Sequence, residues 1–479
     1  MRMNYSDNSE YFIAMNEIKS TNKQSITRQL IHLALPVIGS HLFQMAYNLI
    51  DIFYVSRLGS SAVAAVGSAG FFLHMGWALS TLPATGAGIK VSHLVGQKAF
   101  DKIQSHLRTA WITVIMLASL TLLIILLFGH ALINFYHLNS PLIEESAHRY
   151  LLLAGFGVLF FYQNTLFTSL FIGYGNTQIP FRINALGFIT NMILDPILIF
   201  GFGWGILGAA AATLISQIVV TGSFIIQLWN VPALGPWHGT FRLDCLKGNI
   251  RLGISPAIQR IVFATIAIFM ARIISNFGSS AIAAQRIGLQ IESLTFMTVA
   301  GFSAAVGSLS GRAFGAKDAF RHWKIFRSGM GLAIAIGLIT TTLFLVFPKT
   351  IFSIFIRTPE DLALGVQYLT ILGYSQIFMS IEMVATGAFH GWGRTLIPSS
   401  ISIILTSLRI PAAIYLTHTI GLGLSGIWWS ITLSSIGKGF LISGLFVFLF
   451  KSDAIAMRIK NRYKKIICYK RDGIADTTF

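Results

Sequence analysis

LGSSAVAA at residues 58–65 returns as FGSSAIAA at 277–284, 219 residues further on. GYGNTQIP at 173–180 returns as GWGRTLIP at 391–398, an offset of 218. LPVIG around Pro36 matches SPAIQ around Pro256 at an offset of 220, and GQKAFDK from Gly96 matches GRAFGAKD from Gly311 at 215. Four matches at nearly one spacing mark a tandem duplication, a signal that outranks any single segment in deciding a fold. Two copies of one unit are joined by WNVPALGPWHGTFRLDCLKGNIR at 229–251.

Each copy is apolar almost throughout. Of 479 residues, 54% are hydrophobic and only 11% charged, against about a quarter charged in soluble domains. Apolar runs of about 20 residues cross a hydrocarbon core of about 30 Å. Such runs are expected as helices near 29–55, 62–87, 109–133, 147–171, 180–202, 206–228, 252–275, 281–306, 329–348, 362–388, 396–418 and 424–450. Continuous rather than alternating hydrophobicity excludes a transmembrane barrel. The expected fold is an all-α integral membrane protein, with twelve transmembrane helices in two pseudo-twofold six-helix bundles. Its parts are an N-terminal segment (1–28), an N-lobe (29–228), an interlobe loop (229–251), a C-lobe (252–450) and a basic tail (451–479). Six helices per copy is an even number, so both copies enter the membrane from one face and their symmetry axis runs along the membrane normal.

Charge sets the orientation. Of 35 Lys and Arg, 26 fall on the side of the termini, five fall on the other side (Arg57, Arg149, Arg272, Lys349, Arg357), and Arg260, Arg286, Arg409 and Lys438 lie inside spans. Basic flanks stay in the cytosol, so a multi-pass protein of the cell (inner) membrane with both termini cytoplasmic is expected. The formal charge of +18 is topological; no nucleic-acid motif accompanies it. RIKNRYKKIICYKR (458–471) reads as a topogenic tail. The first 28 residues lack the apolar core of a signal peptide, and Met3 and Met15 are alternative starts. Cys245 and Cys468 have no ligand spacing and read as inert reduced thiols.

Duplication supplies an internal control, because scaffold features should survive in both copies and a specialised site need not. Four acids lie inside spans: Asp51, Asp195, Glu292 and Glu382. Asp51 corresponds to Met270 or Ala271, Asp195 to Ala413 and Asn191 to Arg409. The first half therefore holds a carboxylate pair that the second lacks. Intramembrane acids cost about 2.5–3.5 kcal/mol each on insertion scales and are functional by default. Asn191 and Asp195 are one helical turn apart and share a face, and Pro196 loosens the backbone beside them. GILGAAAATLISQ (205–217) opens the next helix with small residues that permit close approach, and offers the hydroxyl of Thr213. If Asp51, Asn191, Asp195 and Thr213 converge, they form an oxygen-rich nest for a proton or a hard cation such as sodium. Two carboxylates brought close cannot both ionise cheaply, so one can carry a proton. Glu292 (beside Arg286 and Gln290) and Glu382 (with Lys438 or Arg409) are secondary candidates, read first as structural ion pairs. Gln259 and Arg260, taken as one turn into their helix, read first as snorkelling to the headgroups.

No P-loop, dinucleotide turn, HExxH or GxSxG is present, so neither ATP-driven pumping nor an enzyme is expected, and no cofactor is implied. The His residues show no paired ligand spacing, and the 44 glycines read as helix packing.

Across residues 28–450 the chain resembles the multidrug and toxic compound extrusion family, the MATE transporters. The resemblance rests on LALPVIGSHLFQMAYNLIDIFYVSRLGSSAVAAVG in the first half, and on GISPAIQRIVFATI and IESLTFMTVAGFSAAVGSLSGRAFGAKD in the second. It looks closer to the DinF-like than to the NorM-like branch. The resemblance implies that Asp51, Asn191, Asp195 and Thr213 match the polar network of the N-lobe, with Ala209 beside it, Tyr150 lining it, and Pro36 as the point where the first helix bends. The NorM-like branch carries a Glu in the seventh helix; QRIVFATI has Ala264 near that place.

The expected function is secondary antiport: export of organic, cationic amphipathic, drug-like compounds in exchange for H+ or Na+, by a monomer in the bilayer. The alternative is a flippase for lipid-linked saccharides, in which Arg260, Arg286, Arg409 and Lys438 would form one cationic cavity.

Overall fold

In hydrocarbon every backbone N–H and C=O must be satisfied within the chain, and helices do this segment by segment. The computed structural model describes residues 25–135, 140–234, 239–356 and 358–472, the last 19 of these (and Pro232) by backbone alone. Met3, Met15 and most of the N-terminal segment lie outside the described residues, as does the side chain of Cys468.

The first half holds α1 (Ile26–Ser56), α2 (Ser60–Gln97), α3 (Phe100–Asn134), α4 (Pro141–Tyr174), α5 (Gln178–Pro196) and α6 (Gly205–Asn230). The second holds α7 (Leu243–Ser275), α8 (Ser279–Gly315), α9 (Ala319–Val346), a six-residue helix at Pro348–Ser353, then α10 (Pro359–Gly373), α11 (Gln376–Trp392), α12 (Leu396–Ser407, continued by Arg409–Ile414) and α13 (Leu424–Asp472). Among the described residues, eleven helices are long and apolar enough to cross a membrane, and α10 with α11, bent by 49°, makes the twelfth span. The chain is a multi-pass membrane protein. Hydropathy marks only the lipid-buried part of each helix. α7 therefore begins at Leu243 and α9 at Ala319, earlier than their apolar runs.

The backbone repeats more faithfully than the sequence. A π turn at Ile197–Gly201 follows α5, and its counterpart at Tyr415–Thr419 follows α12. The second π turn has Ile414 where the first has Pro196, so a proline at that place is not required. The shared partner is a glycine. A Cβ on Gly208 would lie 2.7 Å from the Leu198 carbonyl, and one on Gly426 2.8 Å from that of Leu416. Lys98 and Lys317 are the only non-glycine residues with positive φ among the described residues (57° and 58°). They register the copies at 219, pairing Gly96 with Gly315 rather than with Gly311. The matched letters GQKAFDK and GRAFGAKD misled because the two share a turn at Lys98 and Lys317, not the alignment of their first glycines.

The halves meet at the face that carries both ends of the bundle. A Cβ on Gly96 would sit 2.1 Å from the Arg312 carbonyl oxygen, and reciprocally one on Gly315 would sit 2.0 Å from that of His93. Such contacts are open only to glycine. The Arg312 guanidinium donates to the Tyr174 carbonyl, and His93 Nε2 lies 2.7 Å from the Gly391 carbonyl oxygen. α1 straddles the seam. Leu30, Leu33 and Ala34, before Pro36, belong to a core cluster of the second half with Val299 and Phe302. Beyond Pro36, Phe43 stacks on Phe181 and Phe188 of α5. The helix is continuous through Pro36, whose carbonyl accepts from Ser40 Oγ at 3.0 Å.

Candidate functional site

α1 carries Tyr47 and Asp51 one turn apart, and α5 carries Asn191 and Asp195 one turn apart, each pair on a single helix face. The Tyr47 and Thr213 hydroxyls are 3.1 Å apart, tying α1 to α6. Asn191 Nδ2 donates to Asp195 Oδ1 at 3.3 Å. Asp195 is 0% and Asn191 1% exposed, while Asp51 and Thr213 are half-buried. The charge of Asp51 acts on Asp195, both acids act on Tyr47 and Tyr150, and no Lys or Arg among the described residues bears on either acid. Asp51 Oδ1 and Asp195 Oδ2 are both sequestered with no hydrogen-bond partner. Ala209 packs with Val55 and Ile199 beside them. The structure thus gathers Asp51, Asn191, Asp195 and Tyr150 into one cluster, with Ala209 packed on the neighbouring Val55 and Ile199. Thr213 joins it through Tyr47 rather than by touching a carboxylate. Tyr47 is the residue that sequence reasoning missed; its position four residues before Asp51 was the available signal.

The second half holds the same place in apolar form. At the repeat spacing, Tyr47, Asp51, Asp195, Ala209 and Thr213 correspond to Ile266, Met270, Ala413, Ile427 and Ile431. Those five pack in one hydrophobic cluster. Met270, not the exposed Ala271, is therefore the counterpart of Asp51. Arg409, in the place of Asn191, donates to Ser434 Oγ at 2.6 Å and Ser435 Oγ at 3.1 Å.

The remaining intramembrane acids have partners. Glu382 Oε2 lies 3.0 Å from Lys438 Nζ, and Glu382 Oε1 accepts from Ser402 Oγ at 3.0 Å. Glu292 accepts from Gln376 Nε2 at 3.2 Å, across to α11. Arg286, six residues away along α8, falls on another side of the helix and is exposed.

Arg260 is not one turn into its helix. Because α7 starts at Leu243, Arg260 lies nearly five turns in, and it lines a cavity of about 380 Å³ between the halves with His41 and His390. Gln259 beside it is half-buried and is not among the residues lining that cavity. Lys438 and Arg409 are engaged inside the second half, so the four intramembrane cations do not share one cavity. Separately, His130 and His148 stack with ring centroids 3.6 Å apart at the face opposite the termini. With Glu145 they bring ligand atoms within 4.8 Å of one another. The spacing along the chain concealed this cluster because it spans two helices.

A duplicated twelve-span helical body, closed at one face and holding unpaired buried acids in one half, has the form of a secondary transporter. The family model MatE matches residues 36–197 and 256–415, one match in each copy. "Probable multidrug resistance protein NorM" of Thermotoga maritima is 27% identical over 470 residues, covering 95% of this chain and 99% of that protein. "Probable multidrug resistance protein YoeA" of Bacillus subtilis is 25% identical, covering 92% and 97%. Two solved structures share the fold. MATE in the bent conformation has a TM-score of 0.83 at 21% identity, covering 90% of this chain and 96% of that one. The outward-facing conformation of a multidrug resistance MATE family transporter has a TM-score of 0.82 at 20% identity, covering 90% and 97%. The chain belongs to the MatE family, a family of transporters rather than enzymes.

Proposed function

We propose that this chain is a multidrug efflux antiporter of the DinF-like branch. It exports amphipathic organic compounds from the cytosol across the cell (inner) membrane, as a monomer with both termini cytoplasmic. Entry of a proton, or of sodium, drives it. The observation that carries the reading is the pair of sequestered, unpartnered carboxylate oxygens on Asp51 and Asp195. A buried polar atom without a partner is costly, and the apolar duplicate at Met270 and Ala413 means the fold does not need these acids. A proton on one of them, or a sodium ion among Asp51, Asn191, Asp195 and the hydroxyls of Tyr47 and Thr213, relieves that cost.

Loading changes the charge beside α1. Pro36 separates the part of α1 seated in the second half from the part that carries Asp51, so bending there transmits loading to the seam. A charge crossing 100 mV supplies about 2.3 kcal/mol, enough for roughly fifty-fold accumulation of a neutral solute. A cationic substrate, as the sequence reading expects, finds its counter-charge at the N-lobe acids. Exchange between drug and proton at that one pocket then couples the two flows. In everted membrane vesicles, a pH gradient alone should drive dye transport into the lumen, the export direction, that Asp51→Asn stops while the protein stays folded and inserted. Efflux under a sodium gradient alone would instead assign sodium as the coupling ion. Efflux by Asp51→Asn equal to wild type under both gradients would refute the pocket's role.

A further inference from the structure

The interlobe cavity has a charge pattern opposite to that of the N-lobe pocket. Its wall carries Arg260, His41 and His390, and it contains no Asp or Glu. The Arg260 charge acts on His41, His74 and His390, and no carboxylate bears on it. Arg260 makes no hydrogen bond or ion pair with any described residue, although it lies nearly five turns inside α7 and lines the cavity. An intramembrane arginine normally has a partner or lines a path. His390 Nε2 is likewise buried without one.

The hydroxyls around the cavity add a second restriction. Ser169 donates to the Ala84 carbonyl at 2.8 Å, Ser303 to that of Met383 at 2.6 Å and Ser308 to that of Ile172 at 2.6 Å. Their hydrogens are spent on backbone, so they offer lone pairs to the cavity. The rest of the wall, including Phe296, Ile172 and Met383, is apolar. At about 380 Å³ the space is within the range of small-molecule sites.

We propose that this cavity is a subsite for amphipathic organic carboxylates, with Arg260 as the anchor. A guanidinium and a carboxylate match as a planar two-bond pair, which an ammonium or an imidazole cannot reproduce. The apolar body of the ligand lies against Phe296 and Met383, and any N–H or O–H it carries meets the serine oxygens. The inference deepens the export reading and depends on it only for the direction of movement. It extends the substrate class beyond cations: molecules bearing both signs use Arg260 for the anion and leave their cationic group for the N-lobe acids.

The test is binding by the purified full-length protein without any ion gradient, so that failure of antiport does not obscure it. Fluorescein, an aromatic carboxylate, and ethidium, an aromatic cation of similar size, are titrated and followed by fluorescence anisotropy. Arg260→Ala should weaken fluorescein binding at least tenfold and leave ethidium binding unchanged or tighter. Arg260→Lys should lose several-fold, because the charge remains without the planar fork. Arg260→Gln guards against misfolding: it keeps a polar side chain and should behave as Arg260→Ala at a wild-type melting temperature. Fluorescein binding that ignores Arg260→Gln in a protein of normal melting temperature overturns the assignment. So does equal loss of both dyes, or displacement of fluorescein by anionic phospholipid but not by benzoate-type carboxylates, which would make the site a headgroup site.

Discussion

One architectural place occurs twice in this molecule with opposite contents. Where α1, α5 and α6 meet, Tyr47, Asp51, Asp195 and Thr213 form a polar pocket. Where α7, α12 and α13 meet, Ile266, Met270, Ala413 and Ile431 form an apolar plug. Both places share a π turn and a glycine that packs on it. Since the plug holds its half together without charge, the acids of the first half are not a requirement of the fold. The second half places its own acids elsewhere and gives them partners, Lys438 for Glu382 and Gln376 for Glu292. Buried charge is thus unpaired in the first half and paired in the second.

Substitutions can break this contrast. Asp51→Asn should have the largest effect, taking gradient-driven efflux in vesicles to background while leaving thermal unfolding unchanged; Asp195→Asn should match it. If either variant instead melted far below wild type with transport intact, the pocket would be scaffold after all. Lys438→Met should do the reverse. It strands Glu382 in the interior at a cost of about 3–5 kcal/mol, read as loss of melting temperature in detergent, and Lys438→Met with Glu382→Gln should recover most of it. Gly208→Ala and Gly426→Ala sharpen the shared part of the comparison. Each pushes a Cβ into a π-turn carbonyl and should destabilise by about 1–3 kcal/mol, equally in the two halves. Tyr47→Phe is the mildest. It removes one hydrogen bond to Thr213, costing about 1 kcal/mol, and should slow efflux a few-fold.

Much of this was legible in the sequence. Repeats and hydropathy defined the spans, because burying backbone in lipid leaves the chain few alternatives. Asp51 and Asp195 stood out because an acid in an apolar run costs free energy that only a partner or a function explains. What escaped lay in shape rather than letters. The registration at Gly96 failed because the longer match to GRAF outweighed the GxK shared by 96–98 and 315–317, whose lysines hold the turn. The start of α7 was placed late because helices continue into water beyond their apolar stretch, and that error put Arg260 at the headgroups instead of in the cavity. Tyr47 was passed over because a tyrosine among apolar residues reads as packing until its hydroxyl meets one 166 residues away.

The reciprocal glycine contacts at Gly96 and Gly315 carry a mechanical consequence. Backbone resting on backbone has no side chain that can rotate aside, so the seam yields there only if the two helices themselves move apart.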